Sequence, residues 1–161
     1  INAMWASKLG LRKPAPELAQ ELLGLMLASK LDYTIFFRQL SEIPATIEPL
    51  KASFYAGSSD ELDGKWSSWL DRWRALLERQ GDLEAASTAM KRANPAITWR
   101  EWLVAPAYEQ AREGDTTLIK ELQQVFSTPY AAPPEELSRY DQLKPREFFN
   151  AGGVSHYSCS S

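Results

Sequence analysis

The stretch DELDGKWSSWLDRWRALLERQ, residues 60–80, decides the fold. Its apolar residues Leu62, Trp66, Trp69, Leu70, Trp73, Leu76 and Leu77 recur at gaps of three and four. That spacing traces one face of an α-helix. Gly81 suits the left-handed position just past the end of such a helix, and Asp82 caps a following helix that carries Leu83, Ala86 and Met90. Trp66, Trp69 and Trp73 read first as core filler, because an aromatic stripe at helical spacing is what core packing looks like. A ligand platform or base-stacking surface is the alternative.

The same period extends outward in both directions. Towards the N-terminus, Pro16 sits at a first-turn position where its missing N–H costs nothing, and Leu18, Leu22, Leu25 and Met26 follow at helical spacing. Asp32 caps a short helix bearing Ile35, Phe36 and Leu40. Pro44 and Pro49 interrupt the run before a further helical turn or two around Leu50 and Phe54. Towards the C-terminus, Asn94-Pro95 breaks the chain, and Thr98 through Glu101 reads as a capping box. The helix after it carries Trp102, Leu103 and Tyr108, with Pro106 inside and expected to kink it. Gly114-Asp115 is a stop followed at once by a start, and the next helix holds Leu118, Ile119, Leu122, Val125 and Phe126. From Ser127 the pattern fails. Pro129, Pro133, Pro134, Pro145 and Gly152-Gly153 indicate an extended tail. Sustained alternation with a period of two is missing, so no substantial sheet is expected.

The expected fold is therefore all-α: an irregular bundle of about six or seven helices with an extended C-terminal tail. Residues 1–3, Ile1-Asn2-Ala3 ahead of Met4, read as a cloning scar; residues 4–128 form the helical domain; residues 129–161 form the tail.

Composition narrows the function classes. The chain has 161 residues, 44% of them apolar, which is enough for one buried core. Its net charge of −3 lacks the electrostatic footprint of a nucleic-acid binder. No apolar run is long enough to span a bilayer, so no membrane partner is expected. The single cysteine, Cys159, closes no disulfide within the chain and fits a reducing, cytoplasmic setting. With the single histidine, His156, it falls short of a structural zinc set.

Catalytic constellations are hard to assemble. Glu84, Glu101, Glu109, Asp115 and Glu121 could supply paired carboxylates, but caps and surface solvation explain them better. No Gly-rich phosphate loop, Walker lysine or metal-binding aspartate cluster is visible. Ser155, His156 and Cys159 lie close in sequence, yet a proline- and glycine-rich tail lacks the rigid support that a nucleophilic site requires. On residue chemistry alone, Cys159 is an incidental exposed thiol; the alternative is a thiol delivered by the tail to a cysteine elsewhere.

Met90-Lys91-Arg92-Ala93-Asn94-Pro95, then Trp99-Arg100, Gly114-Asp115 and Pro129-Tyr130, resemble the C-terminal region of the selenoprotein O (YdiU) family. Upstream, Lys8-Leu9-Gly10-Leu11, Asp32-Tyr33-Thr34 and Phe37-Arg38 resemble it too. So does the end, Ser158-Cys159-Ser160-Ser161, where the family carries selenocysteine or cysteine at the third position from last. Two departures stand out: Glu101 replaces the family's usual asparagine, and Pro106 falls where members continue an unbroken helix.

The resemblance implies a kinase-like parent enzyme that binds ATP with Mg or Mn and moves AMP onto protein hydroxyls. The family's nucleotide- and metal-binding residues match no position here, so it implies no catalytic, cofactor-binding or metal-ligating residue in this chain. Cys159 alone carries over, as a redox-switch residue. The implied partners are an upstream kinase-like domain of the same polypeptide and the parent's protein substrates. The competing class is a stand-alone helical protein-interaction module. The reading frame upstream of Met4 separates the two.

Overall fold

The computed structural model describes residues 1–149. They form two compact units that divide after Pro95. The fold is all-α, as the periodicity predicts: the one strand-like pairing among the described residues is an isolated bridge between Leu31 and Phe54.

The first unit contains α1 (Asn2–Lys8), α2 (Pro16–Ser29), α3 (Tyr33–Leu40), α4 (Glu48–Lys51), α5 (Asp60–Gln80) and α6 (Leu83–Ala93). Helix α5 keeps the bounds expected from its sequence. Ser59 caps it by accepting from the Leu62 amide, and three acids in its first turn complement the helix dipole. Gly81 ends it at φ 100°, a conformation that favours glycine. Asp82 and Asp32 act as the expected caps, accepting from the Ala85 and Ile35 amides at 2.9 Å each. Pro16 occupies the first turn of α2.

The aromatic stripe of α5 is core. Trp66, Trp69 and Trp73 have no exposed surface, and each indole N–H finds an acceptor. Trp66 donates to Ser29 Oγ at 2.8 Å, Trp69 to the Leu18 carbonyl at 2.9 Å and Trp73 to the Leu9 carbonyl at 2.9 Å. Trp69 and Trp73 stack with their rings 10° from parallel, and Trp66 meets Trp69 edge to face. Around them pack Leu22, Leu25, Phe36, Phe37, Leu40 and Leu50. Arg74, further along α5, donates to the Ile43 and Pro44 carbonyls at 2.7 and 2.9 Å. This clamp holds Ile43 at φ 51°, a position that β-branched residues rarely take.

The second unit contains α7 (Glu101–Arg112), α8 (Thr117–Ser127) and two 3₁₀ turns, Glu135–Tyr140 and Arg146–Phe149. Trp102, Leu103, Val104, Ala107, Leu122 and Val125 make its core, joined by Leu137 and Tyr140. The segment after Thr128 is thus irregular, yet Leu137 and Tyr140 within it are buried. Of the residues that the sequence places on α7, Trp102 and Leu103 are buried and Tyr108 is exposed.

The helix does not start at Thr98, where the expected capping box would place its N-cap. Helix α7 begins only at Glu101, with Arg100 as its N-cap and no side-chain cap bond. Two tertiary hydrogen bonds lie just before it: the Pro129 carbonyl accepts from the Ala96 and Ile97 amides at 2.7 and 3.3 Å. That tie precedes an extended run, and Thr98 lies within the run rather than at the helix start. Helix α7 runs through Pro106 without a break; the proline's missing N–H removes the usual intrahelical donor to the Trp102 carbonyl.

Trp69→Ala removes a fully enclosed indole and its hydrogen bond to the Leu18 carbonyl. Chemical denaturation should show a loss of about 3–5 kcal/mol. A loss below about 1 kcal/mol would instead mark an exposed platform.

Candidate functional site

The segments that carry the family resemblance are far apart in sequence, and those of the first unit converge at the C-terminal end of α6. Asn94 is fully buried there. Its Oδ1 accepts from Lys8 Nζ at 3.1 Å, and its Nδ2 donates to the Lys8 carbonyl at 2.9 Å. One asparagine therefore satisfies both the side chain and the main chain of the last residue of α1. Arg38 of α3 approaches from another side and donates to the Lys91 and Asn94 carbonyls at 3.3 and 3.4 Å. Both cations sit where the last carbonyls of α6 concentrate partial negative charge.

The Lys8 ammonium also lies 5.0 Å from the centre of the Tyr33 ring and 5.1 Å from that of Phe37. Those rings partly replace the water that it loses. Burial still holds its pKa below the usual lysine range, and burial raises that of Tyr33. Gly10 completes the junction at φ 68°, where a Cβ would come within 2.9 Å of Met90 Cγ. The Lys-Leu-Gly-Leu, Tyr-Thr, Phe-Arg and Asn-Pro segments are thus pieces of one helix junction. Lys8 and Arg38 are engaged with carbonyl and amide oxygens, so the junction is built to hold α1, α3 and α6 together.

The other sequence candidates do not assemble into a reactive site. Glu84 and Glu109 are exposed. Asp115 is exposed and accepts from the Thr117 amide at 2.9 Å. Bonds from Thr117 hold its carboxyl below the usual range. Glu121 accepts from the Tyr140 hydroxyl and the Arg139 guanidinium, which lowers its pKa, while desolvation raises that of Tyr140. Glu101 has one buried carboxylate oxygen without a hydrogen-bond partner. Among the described residues no group of three His, Cys, Asp or Glu side chains could hold a metal ion, and no helix is long and apolar enough to cross a membrane. Cys159, Ser155 and His156 lie outside the described residues.

One surface feature was not foreseen. A groove of about 620 Å³ runs between α2 and α5, with Gly24, Ala28, Gly64 and Ser68 on its floor and sides. The sequence signal was present but unread: two glycines inside helices, and an α2 whose apolar residues are not confined to one face.

Comparison with known proteins places this arrangement. Residues 2–127 match the family described as protein adenylyltransferase SelO. A protein nucleotidyltransferase YdiU from Methylobacillus flagellatus is 31% identical over 99% of the chain and 32% of its own length. The protein of that name from Thioalkalivibrio sulfidiphilus is 34% identical over 89% of the chain and 29% of its own length. The one from Rhizobium etli is 38% identical over 81% of the chain and 26% of its own length. The chain thus spans less than a third of each of these relatives.

Asn94→Ala deletes both bonds to Lys8 and leaves a half-buried ammonium and a carbonyl unpaired. Urea denaturation should show a loss of about 2–4 kcal/mol. Asn94→Asp keeps an acceptor for Lys8 Nζ and should lose less. Equal losses for the two variants would mean that the Lys8 ammonium draws nothing from this bond.

Proposed function

The chain belongs to the protein adenylyltransferase SelO family, and on that premise we propose that it is the C-terminal helical domain of a kinase-like enzyme that transfers AMP from ATP to protein hydroxyls. Its role is to buttress the catalytic core, which belongs to the remainder of the polypeptide, and its place is the cytoplasm. The observation that carries this reading is the junction at the end of α6. The family segments of the first unit meet there as a helix-locking device, each engaged with backbone or amide oxygens rather than with an open pocket. Residues spent on holding helices together suit a supporting domain.

ATP and its Mg or Mn ion belong to the parent enzyme on this reading. Among the described residues no group of three His, Cys, Asp or Glu side chains could hold a metal ion, and no role toward ATP or the ion is proposed for them. Positioning groups of that kind are what phosphoryl-type chemistry depends on. No step of AMP transfer is assigned to residues of this chain. Cys159 is the proposed redox residue. The reading rests on the resemblance of Ser158-Cys159-Ser160-Ser161 to the family's C-terminal motif; the pairing partner of Cys159 would be a cysteine of the remaining polypeptide, with an oxidised low-molecular-weight disulfide accepting the two electrons.

The test is AMP transfer by the full-length polypeptide, with and without this domain, and by the domain alone. Full-length protein should label protein substrates, excision should abolish labelling, and the domain alone should neither label nor bind ATP–Mg²⁺ in calorimetry. Oxidised glutathione should change the full-length rate and leave that of Cys159→Ser unaffected. Saturable ATP binding by the domain, removed by a point change within it, would refute the supporting role. Undiminished labelling after excision would favour an independent interaction module.

A further inference from the structure

Helix α2 is apolar on two sides. One side, with Leu18, Leu22, Leu25 and Met26, is buried in the core of the first unit. The other carries Leu23, 41% exposed, and Leu27, 79% exposed, one turn apart. From Leu22 to Ala28 the helix carries no polar side chain on any side, and such a stretch belongs in the interior of a larger assembly. Leu27 adjoins Gly24 on the helix surface, so this face continues into the groove between α2 and α5.

The groove is shaped for another element. A Cβ added at Gly24 or Gly64 would meet nothing within 4 Å, so neither glycine is there to let α2 and α5 approach each other. Each costs its own helix about 0.5–1 kcal/mol relative to alanine. What the two glycines do provide is a floor without side chains, onto which a further helix can lie closely. The charges around it are matched among themselves: Arg72 pairs with Glu21 across the groove, and Lys65 pairs with Glu61 along α5. No ionic partner is called for at the rim, so the complementary surface is apolar.

We propose that the α2–α5 groove and the adjoining Leu23–Leu27 face are where the remaining polypeptide of the family docks, through the apolar side of a helix laid across Gly24 and Gly64. The inference rests on the supporting role proposed above and gives it a surface. The occupant follows from length: the relatives are about three times as long as this chain, so most of each relative's chain is available to cover this surface.

The experiment compares the 161-residue chain with the full-length polypeptide, each carrying Gly24→Leu with Gly64→Leu, and separately Leu27→Glu. In the chain alone, thermal unfolding followed by circular dichroism should move by less than about 4 °C, because both sites face open space. In the full-length protein, calorimetry should show this domain melting as a separate transition, and AMP transfer should fall about tenfold or more, the weight of one well-packed interface side chain. An unchanged single transition in the full-length variants overturns the proposal. So does a large loss of stability in the chain alone, which would make the groove internal packing. A concentration-dependent dimer of the chain that Leu27→Glu dissolves, with the full-length protein unaffected, overturns it in favour of a second copy. A separate transition in a full-length protein that never transfers AMP leaves the docking surface standing and removes the function proposed above.

Discussion

Three buried indole N–H groups on one helix constrain the whole first unit. A tryptophan side chain can be enclosed only if its single donor finds an acceptor, since an unpaired one costs more than the bond itself contributes. Trp66, Trp69 and Trp73 find theirs at Ser29, Leu18 and Leu9, which means that rising numbers on α5 meet falling numbers in the first third of the chain. This order fixes α2 antiparallel to α5 and sets its register to within a residue, because a slip would orphan the donors. It also ties down the turn after α1. Apolar burial drives these segments together without direction; the three hydrogen bonds choose one arrangement among many of similar area.

The α6 junction depends on that arrangement. Once Leu9 is held by Trp73, Lys8 reaches Asn94 and Gly10 faces Met90 at a distance that no Cβ tolerates. Arg38 then closes the same helix end from α3. The first-unit residues that carry the family resemblance are therefore parts of one packing problem.

Much of this was legible in the sequence because it is local. The bounds of α5, the caps at Asp32 and Asp82, the left-handed Gly81 and the first-turn Pro16 all follow from spacing and from what one side chain can do to a nearby backbone group. The core role of the three tryptophans was legible for the same reason. The failures are equally physical. Thr98 and Glu101 carry the spacing of a capping box, yet the chain stays extended through Arg100 and the helix starts late, beyond a tie from the Ala96 and Ile97 amides to the Pro129 carbonyl that no local pattern announces. The Lys8–Asn94 tie spans 86 positions and leaves no periodic trace. The α2–α5 groove was missed because glycines inside helices look like mere weak points until their surroundings are known. The proposed redox residue Cys159 lies beyond the described residues, so the sequence remains its sole basis.

Exchange of the indole protons with solvent deuterium tests the central claim most directly. Among the six tryptophans, Trp99 is half exposed and serves as the internal reference. In a proton–nitrogen correlation spectrum of the chain, the indole signals of Trp66, Trp69 and Trp73 should persist long after that of Trp99 has vanished, and should disappear together, because their bonds break only when the unit opens. Loss of these three signals as fast as that of Trp99 would contradict the account: the stripe would then be a packed surface without the hydrogen bonds that set its register.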